Sequence, residues 1–425
     1  MQRIGIVGGG CSGALLATQL LSRTDHEVTL FDAGGAFARG VAYSTTHRVH
    51  IMNVRAGSLS AFPDDPDHFV RWLRASSAAG ERDAFVPRRL YGDYLSSVLQ
   101  STEPSRLRCV PARVCGLDGD VVRTVDGRDH PVDRTVVAIG NLLSTPSELR
   151  GLLESDRYID DPWSPEVGRI WPDDDVLIVG TGLTAVDVVL SLAVRGHTGR
   201  ITAISRHGLL PQAHRETPPV PVSIDIEGTT ARSLLRSVRR AAASVDDWRD
   251  VVDALRPQTQ SLWRSLPPCE QARFLRLAAR YWEVHRHRAA PSVVAAIDAL
   301  RARGTLVVER GRISCVSADA SGVDVAFNDR TLRADVVVNC TGPTPYVTCT
   351  RDPLLRGLLA SGRAVPGPHG MGLDVTPDGA LRDRDGAVSD TLFAIGPLRR
   401  GALWETTAVP EIRTQAAELA SHLAA

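Results

Sequence analysis

One short pattern occurs twice in this chain, and it restricts the fold more than any other feature. Arg3-Ile4-Gly5-Ile6-Val7 reads as a buried strand, Gly8-Gly9-Gly10-Cys11-Ser12-Gly13 as a glycine turn, and residues 14–21 as a helical run. A second strand, Glu27-Val28-Thr29-Leu30-Phe31, closes on Asp32 and Ala33. The pattern returns with a strand over 175–179, the turn Gly180-Thr181-Gly182-Leu183-Thr184-Ala185, a helix over 186–194 and a strand over 200–204. That last strand closes on Ser205-Arg206-His207 rather than on an acid. Apolar strands joined through helices belong to parallel sheets covered on both faces, so the expected class is α/β with two Rossmann-like domains.

Each residue type in these turns has a physical task. Gly8 allows the sharp turn, Gly10 lets the backbone approach a diphosphate, and Gly13 permits close packing of helix on strand. Cys11 and Ser12 open the helix, whose N-terminus carries the partial positive charge that an anion needs. Burial inside the turn makes Cys11 a poor candidate for a reactive thiol. Asp32, with Ala33 beside it, is placed to take ribose hydroxyls, and its charge disfavours a 2′-phosphate, so the first ligand is FAD or NAD. In the second turn Gly180, Gly182, Leu183, Thr184 and Ala185 repeat the cradle. There Ser205 and Arg206 suit a 2′-phosphate, which favours NADPH; the competing reading makes Arg206 a solvated surface residue. Two dinucleotides in one chain imply two redox partners, with the nicotinamide reducing a flavin.

Three apolar strands end in glycine after these units: residues 134–140 ending at Gly140, 334–342 ending at Gly342, and 391–396 ending at Gly396. The first two look like crossings between domains. After Gly396 come Trp404-Glu405-Thr406-Thr407 and a helix with Pro410 in its first turn. Such a helix either stabilises negative charge on a reduced flavin, with Trp404, Thr406 and Thr407 near the ring, or covers a sheet edge. The domain expectation is therefore a discontinuous FAD domain, roughly residues 1–160 and 345–425, around an NAD(P)H domain at 165–340. Residues from about 229 to 303 read as a helical insertion in the latter.

Composition closes off several function classes. Arg and Lys together number 49 against 49 acidic residues, and no lysine occurs at all. A lysine Schiff base and a Walker-A loop are thereby excluded, and no net field favours nucleic acid. The 7 cysteines form no C-x-x-C pair, so neither a dithiol of that type nor a zinc ribbon is supported, and no metal site is expected. No apolar run reaches membrane-spanning length, and no signal peptide is legible, so a cytoplasmic location is expected. The oligomeric state is open.

Further segments lie in order: Gly40-Val41-Ala42-Tyr43, His50-Ile51-Met52-Asn53-Val54, Phe62-Pro63-Asp64-Asp65-Pro66, Pro87-Arg88-Arg89-Leu90-Tyr91-Gly92-Asp93-Tyr94, Tyr281-Trp282-Glu283-Val284-His285-Arg286-His287-Arg288 and Gly401-Ala402-Leu403-Trp404-Glu405-Thr406-Thr407. Together with the two turns they resemble bacterial proteins described as FAD/NAD(P)-binding. These are distant relatives of the flavin-dependent lysine and ornithine N-hydroxylases and closer to aspartate N-monooxygenases. The resemblance covers nearly the whole chain. It implies FAD and NADPH as cofactors and places Met52 and Asn53 on a loop close to the flavin and nicotinamide rings.

The activity it implies is monooxygenation: NADPH reduces FAD, O2 adds at the flavin C4a, and one oxygen passes to a nucleophile such as the neutral amine of a small metabolite. Two rival readings stand beside it, hydride transfer to an organic acceptor without oxygen insertion, and a non-catalytic redox sensor. His285, Arg286 and Arg288 carry two readings of their own, a clamp for a substrate carboxylate and a helix end with favourable cations. Tyr43, Tyr91 and Tyr94 either pack the first domain or line the substrate cavity.

Overall fold

The computed structural model describes residues 1–76 and 80–424. Two parallel sheets organise the chain, each built around one of the glycine turns. The first has six strands in the order Ala380–Arg382, Val388–Ala394, Arg134–Val137, Arg3–Val7, Glu27–Phe31, Leu107–Val110. Only the edge strand Ala380–Arg382 runs antiparallel. The second has five parallel strands in the order Leu306–Arg310, Ile201–Ser205, Val176–Val179, Val336–Asn339, Tyr158–Ile159. Both sheets put the glycine strand in the interior, where Arg3–Val7 and Val176–Val179 are buried almost throughout. This explains why their sequences show continuous apolar runs rather than alternation.

The two halves also repeat in their layers. One face of the first sheet packs on Cys11–Arg23, Arg88–Ser101 and Val409–Ala424. Its other face carries the antiparallel ribbon of Val114–Asp118, Val121–Thr124 and Asp129–Pro131. The second sheet has Leu183–Val194 and Pro291–Ala302 on one face, and the ribbon Ile313–Asp319, Gly322–Phe327, Arg330–Ala334 on the other. The crossing segments run side by side: Leu142 bridges Thr344 in antiparallel sense, just beyond Gly140 and Gly342, which both have positive φ.

Two expected boundaries are corrected. Tyr158–Ile159 falls within the range assigned to the first domain but pairs with Val336–Asn339 in the second sheet. The insertion is shorter at its end than 303, because Pro291–Ala302 belongs to the core of the second sheet, packed with Leu183–Val194 and Leu306–Arg310. It is the crossover helix that a parallel strand pair requires. The insertion proper consists of Ala231–Ala243, Trp248–Leu255, Thr259–Ser265, Pro268–Leu277 and Ala279–Arg286. It is tied to the C-terminal segment: the Gln260 side chain donates to the Glu405 carbonyl (2.5 Å) and accepts from the Trp404 N–H (2.9 Å), and Trp263 Nε1 donates to the Gly401 carbonyl (2.9 Å).

Tyr43, Tyr91 and Tyr94 are buried in the first core, in keeping with the packing reading. Among the described residues no helix is long and apolar enough to cross a membrane, and no cluster of three or more His, Cys, Asp or Glu side chains is arranged to hold a metal.

Candidate functional site

The first turn is shaped by carbonyl contacts that leave no room for side chains. Gly8 has φ +114°, and a Cβ there would stand 2.4 Å from the Ala138 carbonyl oxygen on the returning strand. A Cβ on Gly13 would stand 1.9 Å from the carbonyl of Gly8. Gly10 differs, because its missing Cβ would face only the backbone of Gly40, at 3.4 Å. Gly10 is also the N-cap of Cys11–Arg23 and supplies no side-chain cap, so the N–H groups of the first turn are left for an anion. Burial pushes the Cys11 thiol up to about 12, which keeps it protonated.

Asp32 closes the cradle. Its Oδ2 accepts from the Gly9 N–H (3.2 Å) and its Oδ1 from the Gly34 N–H (2.9 Å), which fixes the carboxylate at the tip of the second strand. Ala33 follows it on the exposed side. The C-terminal segment covers this turn from above: Gly396 has φ +74°, and a Cβ on it would reach to 2.6 Å from Ser12 Oγ. Its N–H donates to Gln415 Oε1 (2.9 Å). Two buried polar atoms of this segment, Thr406 Oγ1 and Gln415 Nε2, have no protein partner. Gln415 is held beside the first turn by its bond to Gly396, which leaves its Nε2 as a donor for a polar ligand there. Thr407 follows, half-buried, just ahead of Val409–Ala424. The residues present therefore fit a bound dinucleotide: a glycine cradle, an uncapped helix, the Asp32 carboxylate and the Gln415 amide lie together at this turn.

Trp404, expected near the flavin ring, is held in place by the helical insertion. Its ring packs on Trp263 and Phe274 of the insertion, with centroids 5.1 Å from each, and Arg400 lies over it.

The second turn repeats the first with less cover. A Cβ on Gly180 (φ +117°) would lie 2.1 Å from the Cys340 carbonyl, whereas one on Gly182 would meet nothing within 4 Å. Gly182 caps Leu183–Val194, again without a side-chain bond. Ala185 takes the third-glycine place and is buried in the sheet core, while Leu183 and Thr184 are half-buried. Ser205 is less available than expected, because its hydroxyl meets Thr181 Oγ1 (2.8 Å) and accepts from the Gly208 N–H (3.0 Å). Arg206 is exposed and has no salt bridge among the described residues.

Between the turns lies a joint that the motifs alone did not reveal. Met52 is buried with its N–H on the Val86 carbonyl (2.8 Å). The Asn53 carbonyl accepts from His214 Nε2 (2.9 Å), and Arg55 donates to the carbonyls of Arg215 and Thr217. Burial, with Arg288 adding to it, pushes His214 down to about 3. Nearby, His50 bonds Ser191 Oγ (2.8 Å), and a buried ion pair joins Arg88 to Asp187. Burial followed by the Arg88 charge lowers His50 to about 4, so both imidazoles are neutral at physiological pH. The His50 segment was visible as a motif, but Asp187, Ser191 and His214 carried no sequence signal.

The expected carboxylate clamp is not formed. Arg288 is buried against Asp253, and Arg286 is buried between Glu405 and Glu411. Burial acts to raise Glu411, but the adjacent Arg256 overrides it and leaves this carboxyl below its ordinary value. Both guanidinium groups are thus matched inside the protein. His285 alone of the three faces open space, as described below.

Residues 5–142 match the family model described as FAD-NAD(P)-binding. The sequence matches none of the curated proteins. Among solved structures, the fold is similar to ornithine hydroxylase from Pseudomonas aeruginosa (TM-score 0.69, 17% identity, 99% of this chain and 98% of that one). It is also similar to L-lysine 6-monooxygenase from Pseudomonas syringae (TM-score 0.68, 19% identity, 99% and 98%). Bacillithiol disulfide reductase from Staphylococcus aureus is another likeness (TM-score 0.60, 14% identity, 100% and 98%). At these identities the likeness concerns the fold: a two-Rossmann architecture whose first turn lies within an FAD-NAD(P)-binding match.

Proposed function

We propose that the chain is an FAD-dependent, NADPH-using monooxygenase that oxygenates a small, amine-bearing metabolite. The observation that carries this reading is the pairing of a covered dinucleotide cradle with an open one across a joint fastened by two neutral imidazoles and a matched ion pair. Bound FAD would supply the hydride acceptor and the oxygen-activating centre. Gly8, Gly10, Ser12 and Gly13 would hold its diphosphate, Asp32 its ribose, and Thr406 with Gln415 its remaining polar groups. Gly180, Gly182, Leu183, Thr184 and Arg206 would hold NADPH, with Arg206 on the 2′-phosphate.

The residues at the joint have a narrower task. Met52 and the buried wall behind it exclude water, and Asn53 offers an amide free of protein hydrogen bonds among the described residues. His50 and His214 hold the loop without carrying a transferable proton. A site that must protect an oxidising group from water and acid benefits from such neutrality. A second reading, hydride transfer to an organic acceptor, draws on the likeness to the disulfide reductase, although the 7 cysteines are all free.

Anaerobic NADPH should bleach the flavin of the purified protein, and admission of isotopically labelled O2 with an amine substrate should place label in the product. Peroxide or reduced acceptor as the only products would favour the second reading. Failure of NADPH to bleach the flavin would sink both.

A further inference from the structure

The helical insertion and the C-terminal segment line a half-open cavity of about 550 Å³, within the size range of small-molecule sites. Its walls are Trp248, Trp263, Phe274, Trp282 and Trp404, and no carboxylate lines it. Its outer wall is Ala231–Ala243, a helix with no fully buried residue. Leu234, Leu235, Val238 and Ala242 fall on one stripe of that helix and face the cavity. The helix is held at its start, where Thr230 and Ser233 form a capping box and Glu270 accepts from the Ala231 N–H (2.9 Å). Leu234, Val238 and Ala242 pack in part on the small core of Ile226, Val251 and Leu255, and the cavity continues beside them with a largely apolar lining that suits an apolar occupant.

The polar groups at the rim define the rest of that occupant. Arg239 lines the cavity, and Arg232, Arg236 and Arg240 stand on the same helix; none of the four has a salt bridge among the described residues. This contrasts with Arg286 and Arg288, which are matched by carboxylates. His285 Nδ1 donates to the Tyr281 carbonyl (2.7 Å), so its Nε2 is left as an acceptor beside Trp248.

The geometry points to a site for an amphipathic acid, its aliphatic or aromatic body in the cavity and its anionic group at Arg239. Resting on the monooxygenase reading, this cavity takes the body of the substrate, because its wall includes Trp404 of the same C-terminal segment that covers the first turn through Gly396. The substrate is then a largely apolar acid that bears an amine, not a free basic amino acid or a short diamine.

Titration of the FAD-loaded protein with hexanoate, octanoate, decanoate and dodecanoate, read by tryptophan fluorescence, tests the site without NADPH or oxygen. Affinity should rise about fourfold per added methylene, equivalent to roughly 0.8 kcal/mol, until the cavity is filled. Decylamine should bind at least about tenfold more weakly than decanoate, a preference that Arg239→Gln removes and Arg232→Gln, off the cavity, retains. Affinity independent of chain length, or equal for decylamine, overturns the proposal. So does sedimentation with phosphatidylglycerol vesicles in the absence of decanoate binding, which would make the helix a membrane-surface element. The substrate assignment is read separately: 12-aminododecanoate should stimulate NADPH-driven oxygen uptake more than ornithine does, and the reverse order overturns it. Absence of any flavin reduction by NADPH would instead fail the monooxygenase reading, leaving the titration to decide the cavity.

Discussion

The two glycine turns are built on one plan and finished differently. Gly8 and Gly180 each face the carbonyl of the returning strand, Ala138 in one case and Cys340 in the other, at distances that exclude any side chain. The third position separates them, since Gly13 has no room for a methyl group while Ala185 carries one inside the core. Cover separates them further. Gly396 presses on Ser12 above the first turn, whereas Gly182 looks onto open space. The comparison teaches that a resident ligand and an exchanging one require the same backbone cradle but opposite access. On the proposed reading the first site would hold its ligand under the C-terminal segment, and the second would leave a path in and out.

The sharpest way to break this comparison is to place the same methyl group in both sites. Gly13→Ala puts a Cβ against the Gly8 carbonyl, and overpacking of that kind costs about 1–3 kcal/mol before any loss of ligand. The variant should be purified nearly colourless and melt well below the parent. Ala185→Gly, the inverse change, should lose about 1 kcal/mol from helix propensity and keep its flavin. Absorbance ratios and melting curves decide the matter; a yellow Gly13→Ala protein would show that the first turn is not the flavin cradle.

Loss of the cofactor puts Gly13→Ala first; after it comes the joint that holds the two sites together. Arg88 and Asp187 form an ion pair in which both side chains are largely buried, and Trp163 lies alongside Arg88. Arg88→Met would leave Asp187 buried and unmatched, a loss of about 3–5 kcal/mol. Asp187→Leu added to it should restore much of the melting temperature. An unchanged melt for the single variant would mean that solvent reaches the joint.

A smaller effect sharpens the contrast between Asp32 and Arg206. A hydrogen bond to a charged group is worth about 1.5–3 kcal/mol, so Arg206→Gln should lower kcat/KM for NADPH roughly ten- to a hundredfold. The value for NADH should barely move. Equal losses with both coenzymes would make Arg206 a residue of the fold rather than a reader of the 2′-phosphate.

What the sequence made legible follows the range of the interactions. Gly13 and Asp32 act on neighbours within one strand–turn–helix unit, so their spacing alone discloses their task, whereas the Ala138 and Cys340 carbonyls that Gly8 and Gly180 face come from strands far along the chain. Arg286 and Arg288 looked available because their matching acids are remote in sequence: Asp253 lies on another helix and Glu405 and Glu411 near the C-terminus. Pro291–Ala302 shows the same limit, since helical periodicity displays an apolar face but not the surface it meets. Trp404 was placed by resemblance to a pattern, yet Trp263 and Phe274, contributed by the insertion, claim its ring. Partners brought in by long insertions are set by tertiary packing, which a local pattern does not encode.

The smallest expected effect concerns pH and returns to the joint. His214 is held down to about 3 by burial and then by Arg288, so the folded protein binds its proton less readily than the unfolded chain, which does so near 6.5. The stability it contributes is complete above pH 6.5 and is lost as the pH falls towards 3. His50, held to about 4, acts in the same direction over the upper part of that window. Asp187 opposes them: burial, only partly countered by Arg88, raises it to about 6, so its contribution is complete below 3.8 and is lost as the pH rises to 6. Two imidazoles against one carboxyl leave a net slope, with stability rising between pH 4 and 6. Each group bounds its share at about 1.4 kcal/mol per pH unit. His214→Asn removes one proton-linked group and should flatten that slope by up to this amount while Arg88 and Asp187 stay paired. If the slope is unchanged, His214 titrates freely and does not fasten the Asn53 loop. If it flattens, acid should raise hydrogen exchange in residues 50–55 before either sheet opens, because the proton must enter where the two sites meet.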